Sequence, residues 1–422
     1  MKLKTMLLLV LVCAAAVATL WYLQRPPKQA GSGLPIGDKV LRFFPVNEIS
    51  KVVIHTAATT VTLEQNENNI WVVRENYGYP AQFGKVADLL KTLYDMKVGQ
   101  TVRVRPASLG QLKLVAPDDP GDAAGKATQL QCYDDGGESV ALLWVGEAKR
   151  GEAREGSPYG FAMPEGTFVR LPGNPANLGN TRDQVILVKD TFQIGETPAA
   201  WIDKQLFSVP NESVQSIAVT TPRGEQYRVA RTNAADQLTL AALAPTQQAK
   251  AAELAALGNA LTAFTVDEVL DPAAAKTNTA LATAWTFAAT TFDGVIYTVK
   301  LADTNVPQAY AQVTVKYTKP VIESVASNIA AHLATRPGEV QESVRVLDRN
   351  LAQWTFILPE FKANQLRTLH ANLVEPAPAP PQTKPVAPAP PQAKPVAPAP
   401  PQTKPAAPAP AAAPAAPPKT AN

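Results

Sequence analysis

The sequence predicts an α+β protein in which two repeated modules of antiparallel strands each carry one amphipathic helix. Short runs of alternating or β-branched residues recur between polar turns, which is typical of antiparallel strands. The pattern returns after 165 residues (214 − 49), at Ile49 and again at Val214. The alternation of strands and helices that marks a parallel sheet is not seen. We expect an N-terminal transmembrane helix before this body and a disordered proline-rich tail after it.

Each copy opens with a predicted meander of three strands. The strand-like runs cover residues 51–56, 60–65 and 69–75 in the first copy, and 216–222, 225–232 and 237–244 in the second. The same displacement pairs Pro80 with Pro245 and Leu89 with Leu254. Agreement at identical offsets through strands, turn and helix indicates a duplication.

The two prolines are predicted to lie in the first turn of a helix. Backbone N–H groups there have no acceptor within the helix, so the N–H that proline lacks costs no hydrogen bond. Apolar residues then recur at helical spacing in both copies. They are Phe83, Val86, Leu89, Leu90 and Leu93 in the first copy, and Leu254, Leu257, Leu261 and Phe264 in the second.

A second group of strands follows each helix. It is predicted over 130–135, 139–147 and 166–171 in the first copy, and over 285–301 and 309–317 in the second. Asp293-Gly294 is a strong hairpin signal inside the longer run. After the second copy we expect an amphipathic helix over 321–333, and Trp354 opens one more strand-like segment.

The N-terminus contains 18 uncharged residues, Met6 to Leu23, preceded by Lys2 and Lys4. That length matches a bilayer core of ~30 Å at ~1.5 Å rise per residue, and the lysines favour a cytoplasmic N-terminus. A cleaved signal peptide is the competing interpretation, because Ala16-Val17-Ala18 fits a cleavage pattern. Under both interpretations the body is exported.

These observations predict a linear organisation. We expect a cytoplasmic stub at 1–5, a signal anchor at 6–23, a linker at 24–44, modules at 45–205 and 206–373, and a tail at 374–422. Residues 375–422 hold 18 of the 39 prolines and repeat a ten-residue unit with one lysine. The tail is either a stiff polyproline spacer that touches a partner or the cell wall, or an unstructured segment.

The composition excludes several function classes. When residues 1–28 and 375–422 are left out, the body has 31 basic and 35 acidic residues, a net charge near −4 (31 − 35). This charge argues against nucleic-acid binding. His55, His332 and His370 have no acid or second histidine at metal-ligand spacing, so we expect no metal site, no cofactor and no catalytic residue. Cys132 is predicted to be a core residue, and Asp118-Asp119 and Asp134-Asp135 to form turns. We place the strand-like tryptophans in the core: Trp71, Trp144, Trp201, Trp285 and Trp354.

Specific segments resemble the domain-of-unknown-function 4340 family of bacterial envelope proteins. They are the lysine-anchored apolar helix, the run from Glu48 to His55, the helix start after Tyr79, and Trp201-Ile-Asp-Lys-Gln-Leu-Phe207 before the second copy. The resemblance covers roughly residues 1–370. Members commonly accompany gliding-motility-type ABC transporter components, so it implies a location and a partner without catalytic residues.

We therefore expect a non-enzymatic accessory protein, anchored by a single span in the bacterial inner membrane with its body in the periplasm or outside the cell. Its expected partners are the membrane and a protein of an envelope complex such as an ABC-type exporter. An envelope-spanning adaptor that contacts the cell wall through its tail is the alternative. A hydrolase with an unrecognised site is the third hypothesis.

Overall fold

The computed structural model describes residues 34–151, 164–173, 183–241, 243–277, 279–303, 308–319 and 337–377. In this part of the chain, two large antiparallel sheets and five α-helices make up the body. Both sheets belong to one compact unit that ends at Pro376. The predicted α+β class is confirmed.

The first sheet has nine strands, and one helix lies between its fourth and fifth strands. The elements are β1 (Ile49–His55), β2 (Thr60–Gln65), β3 (Trp71–Val73), β4 (Tyr79–Pro80), α1 (Phe83–Asp95), β5 (Val98–Val102), β6 (Thr128–Asp134), β7 (Ser139–Arg150), β8 (Pro164–Leu171) and β9 (Gln184–Val188). Their order across the sheet is β4-β3-β2-β1-β6-β7-β8-β9-β5.

The second half contains an eight-stranded sheet, two short strand pairs and four helices. The elements are β10 (Gln205–Phe207), β11 (Val214–Thr220), β12 (Gln226–Ala230), β13 (Thr239–Leu240), β14 (Gln247–Ala249), α2 (Ala251–Gly258), β15 (Phe264–Thr265), β16 (Glu268–Val269), α3 (Pro272–Thr277), β17 (Trp285–Thr291), β18 (Val295–Asp303), β19 (Ala309–Tyr317), α4 (Pro337–Ala352), β20 (Phe356–Leu358), α5 (Glu360–Leu366) and β21 (Val374–Pro376). The sheet order is β13-β12-β11-β17-β18-β19-β20-β16, while β10 pairs with β15 and β14 with β21.

The two large sheets have the same strand order apart from β4. The order β3-β2-β1-β6-β7-β8-β9-β5 corresponds strand by strand to β13-β12-β11-β17-β18-β19-β20-β16. Their registers also agree in detail, because a β-bulge between Ile49 and Lys51 recurs between Val214 and Ser216, 165 residues later (214 − 49). Bulges redirect a strand at a defined place. The shared bulge is therefore evidence for two copies of one plan.

The helix starts differ from the prediction. Pro80 lies in β4 and α1 begins at Phe83, whereas Pro245 precedes β14 and α2 begins only at Ala251. The Pro80 carbonyl accepts the N–H of Asp203, and the Gln82 N–H donates to the Trp201 carbonyl, so a passing segment holds this region extended. Pro80 therefore ends a strand and Pro245 lies in a turn, and neither proline opens a helix.

The predicted helical stripes are correct except at their ends. Val86, Leu89, Leu90 and Leu93 are buried, but Phe83 is 68% exposed because it stands at the first position of α1. Leu261 and Phe264 are buried beyond the end of α2. There the Lys362 Nζ donates to the carbonyls of Ala260 and Thr262, which satisfies backbone groups that a longer helix would have paired.

The folded body extends past both predicted boundaries. Val40, Leu41 and Phe44 belong to the core although we assigned 24–44 to a linker. At the other end Val374–Pro376 pairs with β14, so the first residues assigned to the tail form a strand. The predicted span at 6–23, the predicted helix at 321–333 and residues 378–422 lie outside the described residues. No described helix is long and apolar enough to cross a membrane.

The core lies along one face of each sheet. Residues of the central strands of the first sheet, such as Ile54, Leu130 and Leu143, are fully buried. Cys132 is also fully buried in β6, as predicted, and burial raises the pKa of its thiol to about 12. Trp71 and Trp201 are buried, but Trp201 follows a 3-10 turn and does not lie on a strand.

Candidate functional site

A row of polar and aromatic side chains crosses the first sheet on the face opposite the core. His55 of β1 pairs directly with Gln129 of β6, Gln129 with Trp144 of β7, and Trp144 with Arg170 of β8. Direct cross-strand partners place their side chains on the same face of a sheet. These four residues are called the His–Arg row below.

The half of the row on β7 and β8 is a stacked and hydrogen-bonded unit. The Trp144 Nε1 donates to the Gln129 Oε1 at 2.9 Å, and the Arg170 guanidinium carbon lies 4.6 Å from the centre of the Trp144 ring. Arg170 also forms a two-point ion pair with Asp183, with its Nε 2.8 Å from Oδ1. A planar guanidinium held by a carboxylate over an indole has a fixed orientation.

The half of the row on β1 holds a histidine between two oxygen atoms. The His55 Nδ1 lies 2.8 Å from the Thr60 Oγ1 of β2, and its Nε2 lies 2.9 Å from the Asp118 Oδ1. Asp118 belongs to the connection between β5 and β6, and its side chain is 82% exposed. The row thus ends in an exposed carboxylate at each side, Asp118 near His55 and Asp183 near Arg170.

The β5–β6 connection crosses over this face. The Arg170 Nη1 donates to the Leu114 carbonyl at 3.1 Å, and Leu114 is fully buried against the sheet. Gly146 of β7 permits this approach, because a Cβ there would lie 2.3 Å from the Leu112 carbonyl oxygen. The connection therefore holds Leu114 over one half of the row and Asp118 over the other.

The second sheet has different chemistry at the same positions. Its row consists of Thr220, Thr286, Lys300 and Gln312, joined by the same cross-strand pairings. These residues provide neither an aromatic ring nor a histidine. Because the second sheet forms the same strands without them, the fold does not require the His–Arg row.

Three side chains are connected in the order acid, base and hydroxyl that hydrolases use: Asp118, His55 and Thr60. The geometry nevertheless corresponds to a cross-strand pair at the surface, His55 and Thr60, to which a solvent-exposed carboxylate is hydrogen-bonded. His55 and Thr60 are direct cross-strand partners, and Asp118 is exposed to water, where its attraction for the imidazole is screened. A reactive hydroxyl also needs donors placed for a developing oxyanion. The trio is better suited to recognition than to nucleophilic chemistry.

The turn prediction for the acidic pairs is correct at both places. The Asp119 N–H donates to the Ala116 carbonyl, and the Asp134 Oδ1 accepts the Glu138 N–H at 2.8 Å. Sequence reasoning missed the additional role of Asp118, which lies 63 residues from His55. It also placed Trp144 in the core, whereas the ring is half-buried on the outer face. The alternation of β7, in which Leu143 and Val145 point inward, is the signal that identifies the outer position.

One other polar site serves the fold. A cavity of about 300 Å³ lies beside α2, lined by Asn211, Arg231, Asp236 and Leu254 among others. The guanidinium of Arg231 is held by the backbone carbonyl and side-chain oxygen of Asn211 and by the carbonyls of Val214, Ala234 and Asp236.

In the described part of the chain, no group of three or more histidine, cysteine or acidic residues is arranged to hold a metal ion.

Comparison with known proteins adds one match. The model of the family described as "Domain of unknown function (DUF4340)" matches residues 164–282, which extend from β8 into the second module. No curated protein matches the chain, and neither does a solved structure. Over these residues the match supports the family resemblance that the sequence motifs indicated.

Proposed function

We propose that this protein, which matches the DUF4340 family model over residues 164–282, is a membrane-anchored extracytoplasmic accessory protein without enzymatic activity. In this proposal it acts with a membrane protein complex of the envelope, such as an ABC-type exporter. Residues 6–23 hold it in the inner membrane, and the first module presents the His–Arg row to the partner.

The observation that carries this proposal is the difference between two equivalent surfaces. The two sheets share strand order and bulge position, yet only the first has the histidine, indole and guanidinium at the row positions. Side chains that the fold does not need are available for recognition. Tryptophan and arginine are also the residue types that contribute most to binding at protein interfaces.

Recognition fits the row better than turnover does. The ring nitrogens of His55 and Trp144 and the guanidinium of Arg170 are hydrogen-bonded within the chain. Such a network is rigid, so a partner that docks on it loses little conformational entropy. The hydrolase hypothesis would rely on the Thr60 hydroxyl, and a fluorophosphonate probe that reacts with activated hydroxyls tests it directly.

The adaptor hypothesis rests on the tail. From Ala377 onward the sequence carries one lysine in each ten-residue repeat. Such a segment suits a spacer whose lysines meet an anionic wall polymer. The two hypotheses differ in the surface that meets the partner, because the adaptor needs the tail and the accessory protein needs the row.

Photocrosslinking in intact cells tests the proposal. A photoreactive amino acid replaces Asp118, which is exposed above the row, and in a matched control it replaces Lys300, which is exposed on the equivalent row of the second sheet. We expect position 118 to capture a component of a membrane transport complex and position 300 not to capture it. Equal capture from both positions, or capture of the component from neither, contradicts the proposed role of the row.

A further inference from the structure

Large apolar side chains are exposed where the folded body begins. Ile36 is 70% exposed and Phe43 is 73% exposed, and they flank a segment whose Val40 and Leu41 are buried in the core. Hydrogen bonds from Val40 to Met96 and from Val98 to Asp38 fix this segment against the end of α1 and the start of β5. The two side chains are therefore held outward by a rigid backbone.

Tyr94 of α1 belongs to the same surface. Its ring is 43% exposed, and the Lys39 Nζ lies 3.3 Å from the ring centre. We call Ile36, Phe43 and Tyr94 the leading patch. Three large apolar side chains left exposed on or beside one rigid segment are candidates for an interaction surface.

The second module buries the equivalent position. Trp201 lies 165 residues after Ile36 (201 − 36) but is only 2% exposed. It is held there by the first module, because its carbonyl accepts the Gln82 N–H. The leading apolar residue of the second module thus packs against the structure that precedes it. For the second module the preceding structure is the first module.

For the first module the preceding structure in the proposed topology is the membrane anchor. Ten residues (24–33) separate Leu23, the end of the apolar run, from Leu34, so eleven Cα–Cα steps join the two (34 − 23). At ~3.6 Å per residue they reach at most ~40 Å, so the patch stays near the bilayer surface. Three basic side chains lie on or beside this segment: Lys39, Arg42 and Lys97. Lys39 pairs with Asp95 and Arg42 with Asp38, so the five groups sum to a charge of +1 (3 − 2).

We infer that the leading patch rests on the outer surface of the membrane that holds the anchor, with Ile36 and Phe43 inserted among the lipid headgroups. The basic side chains next to them meet lipid phosphates, and Tyr94 suits the polar–apolar boundary. This contact would fix the orientation of the first module, and so of the His–Arg row, relative to the bilayer. The inference rests on the proposed anchoring.

Site-directed labelling of the full chain in vesicles tests this contact. A nitroxide is attached to Phe43→Cys, and in a matched control to Ser208→Cys, the position equivalent to Phe43 in the second module and also exposed. Cys13 is replaced by alanine in both, and the buried Cys132 is left in place. The vesicles contain three parts of phosphatidylcholine to one part of phosphatidylglycerol. Collision rates with oxygen and with a water-soluble nickel complex report lipid and water exposure.

We expect the label at position 43 to show a higher oxygen rate and a lower nickel rate than the label at position 208. Replacement of Ile36 and Tyr94 by serine should shift the label at position 43 toward the values of the control. Equal accessibility at 43 and 208 in chain that floats with the vesicles overturns the patch contact and leaves the anchor intact. Failure of the chain to float overturns the anchoring itself, and the inference with it.

Discussion

Tyr79, on the edge strand of the first sheet, packs edge-on against Trp354, which precedes β20 of the second sheet. Their ring centres are 5.2 Å apart and their planes are inclined by 79°. Tyr79 also approaches Phe356 of β20 at 6.1 Å and is 5% exposed. Aromatic rings in this arrangement attract each other beyond the effect of buried area. The contact joins the two modules within one compact unit.

Tyr79→Ala should lower the free energy of unfolding by about 3 kcal/mol, because it removes a buried aromatic ring and leaves a cavity between the modules. The control is Phe83→Ala. Its ring lies close to Tyr79 in the sequence but is 68% exposed, so its removal should change stability little. Urea unfolding of the purified full chain measures both variants. Similar losses in the two variants would show that the contact between Tyr79 and Trp354 does not hold the modules together.

A pair of glycine substitutions tests the close approach of the β5–β6 connection to the sheet. Gly146→Ala places a Cβ 2.3 Å from the Leu112 carbonyl oxygen, so we expect a loss of about 1–3 kcal/mol. Gly84→Ala lies in α1 with open space around it, and alanine favours the helix there by up to about 1 kcal/mol. Opposite shifts in melting temperature are expected. A Gly146→Ala chain as stable as the wild type would mean that the connection does not lie on the row.

Two truncations test where the body ends. A chain ending at Ala377 should have the same melting temperature as the full chain, because the compact unit ends at Pro376. A chain ending at Leu373 lacks β21, its pairing with β14 and the bond from the Gln248 Nε2 to the Glu375 Oε1 at 2.6 Å. We expect the shorter chain to lose about 1–2 kcal/mol. Identical melting of both truncated chains would show that β21 contributes nothing.

Stability at alkaline pH should depend on Tyr227. Burial raises the pKa of its phenol above the ordinary value, and its hydroxyl donates to the Thr368 carbonyl at 2.6 Å. The folded state therefore keeps the proton when the unfolded chain has lost it, and stability falls as pH rises above about 10. Tyr227→Phe should cost about 1 kcal/mol near neutral pH through the lost hydrogen bond.

Tyr227→Phe should lose less stability than the wild type between about pH 8 and about pH 11, because phenylalanine has no hydroxyl proton to release. Urea unfolding at the two pH values gives the comparison. Phe83→Ala, which alters an exposed ring without a proton, should follow the wild type across this range. Parallel alkaline losses in the wild type and Tyr227→Phe would contradict the assignment.

The strands that carry the core were predictable because their signal is local. Alternation of apolar and polar residues identified β1, β6, β7, β17 and β19 close to their observed bounds. Turn residues such as Asp293-Gly294 marked the hairpins, and Gly294 adopts the expected positive φ of 84°. The 165-residue displacement also located β11 correctly, because each copy repeats both the strand pattern and the turn length.

Other features depend on contacts between distant residues. Pro80 belongs to a strand because residues 201–203 pair beside it, and no local pattern contains that information. The ion pair between Arg170 and Asp183 and the bond between His55 and Asp118 likewise join separate segments. The pairings of His55 with Thr60 and of Gln129 with Trp144 are more local, because each joins the two strands of one hairpin.

Exchange of the row itself tests whether the His–Arg row recognises the partner. The four residues His55, Gln129, Trp144 and Arg170 are replaced by the residues at the equivalent positions of the second sheet, giving His55→Thr, Gln129→Thr, Trp144→Lys and Arg170→Gln. Urea unfolding confirms that the variant folds, and capture from position 118 in intact cells is then quantified. We predict a folded protein that no longer captures the transport-complex component. Undiminished capture by the folded variant would contradict the assignment of recognition to the His–Arg row.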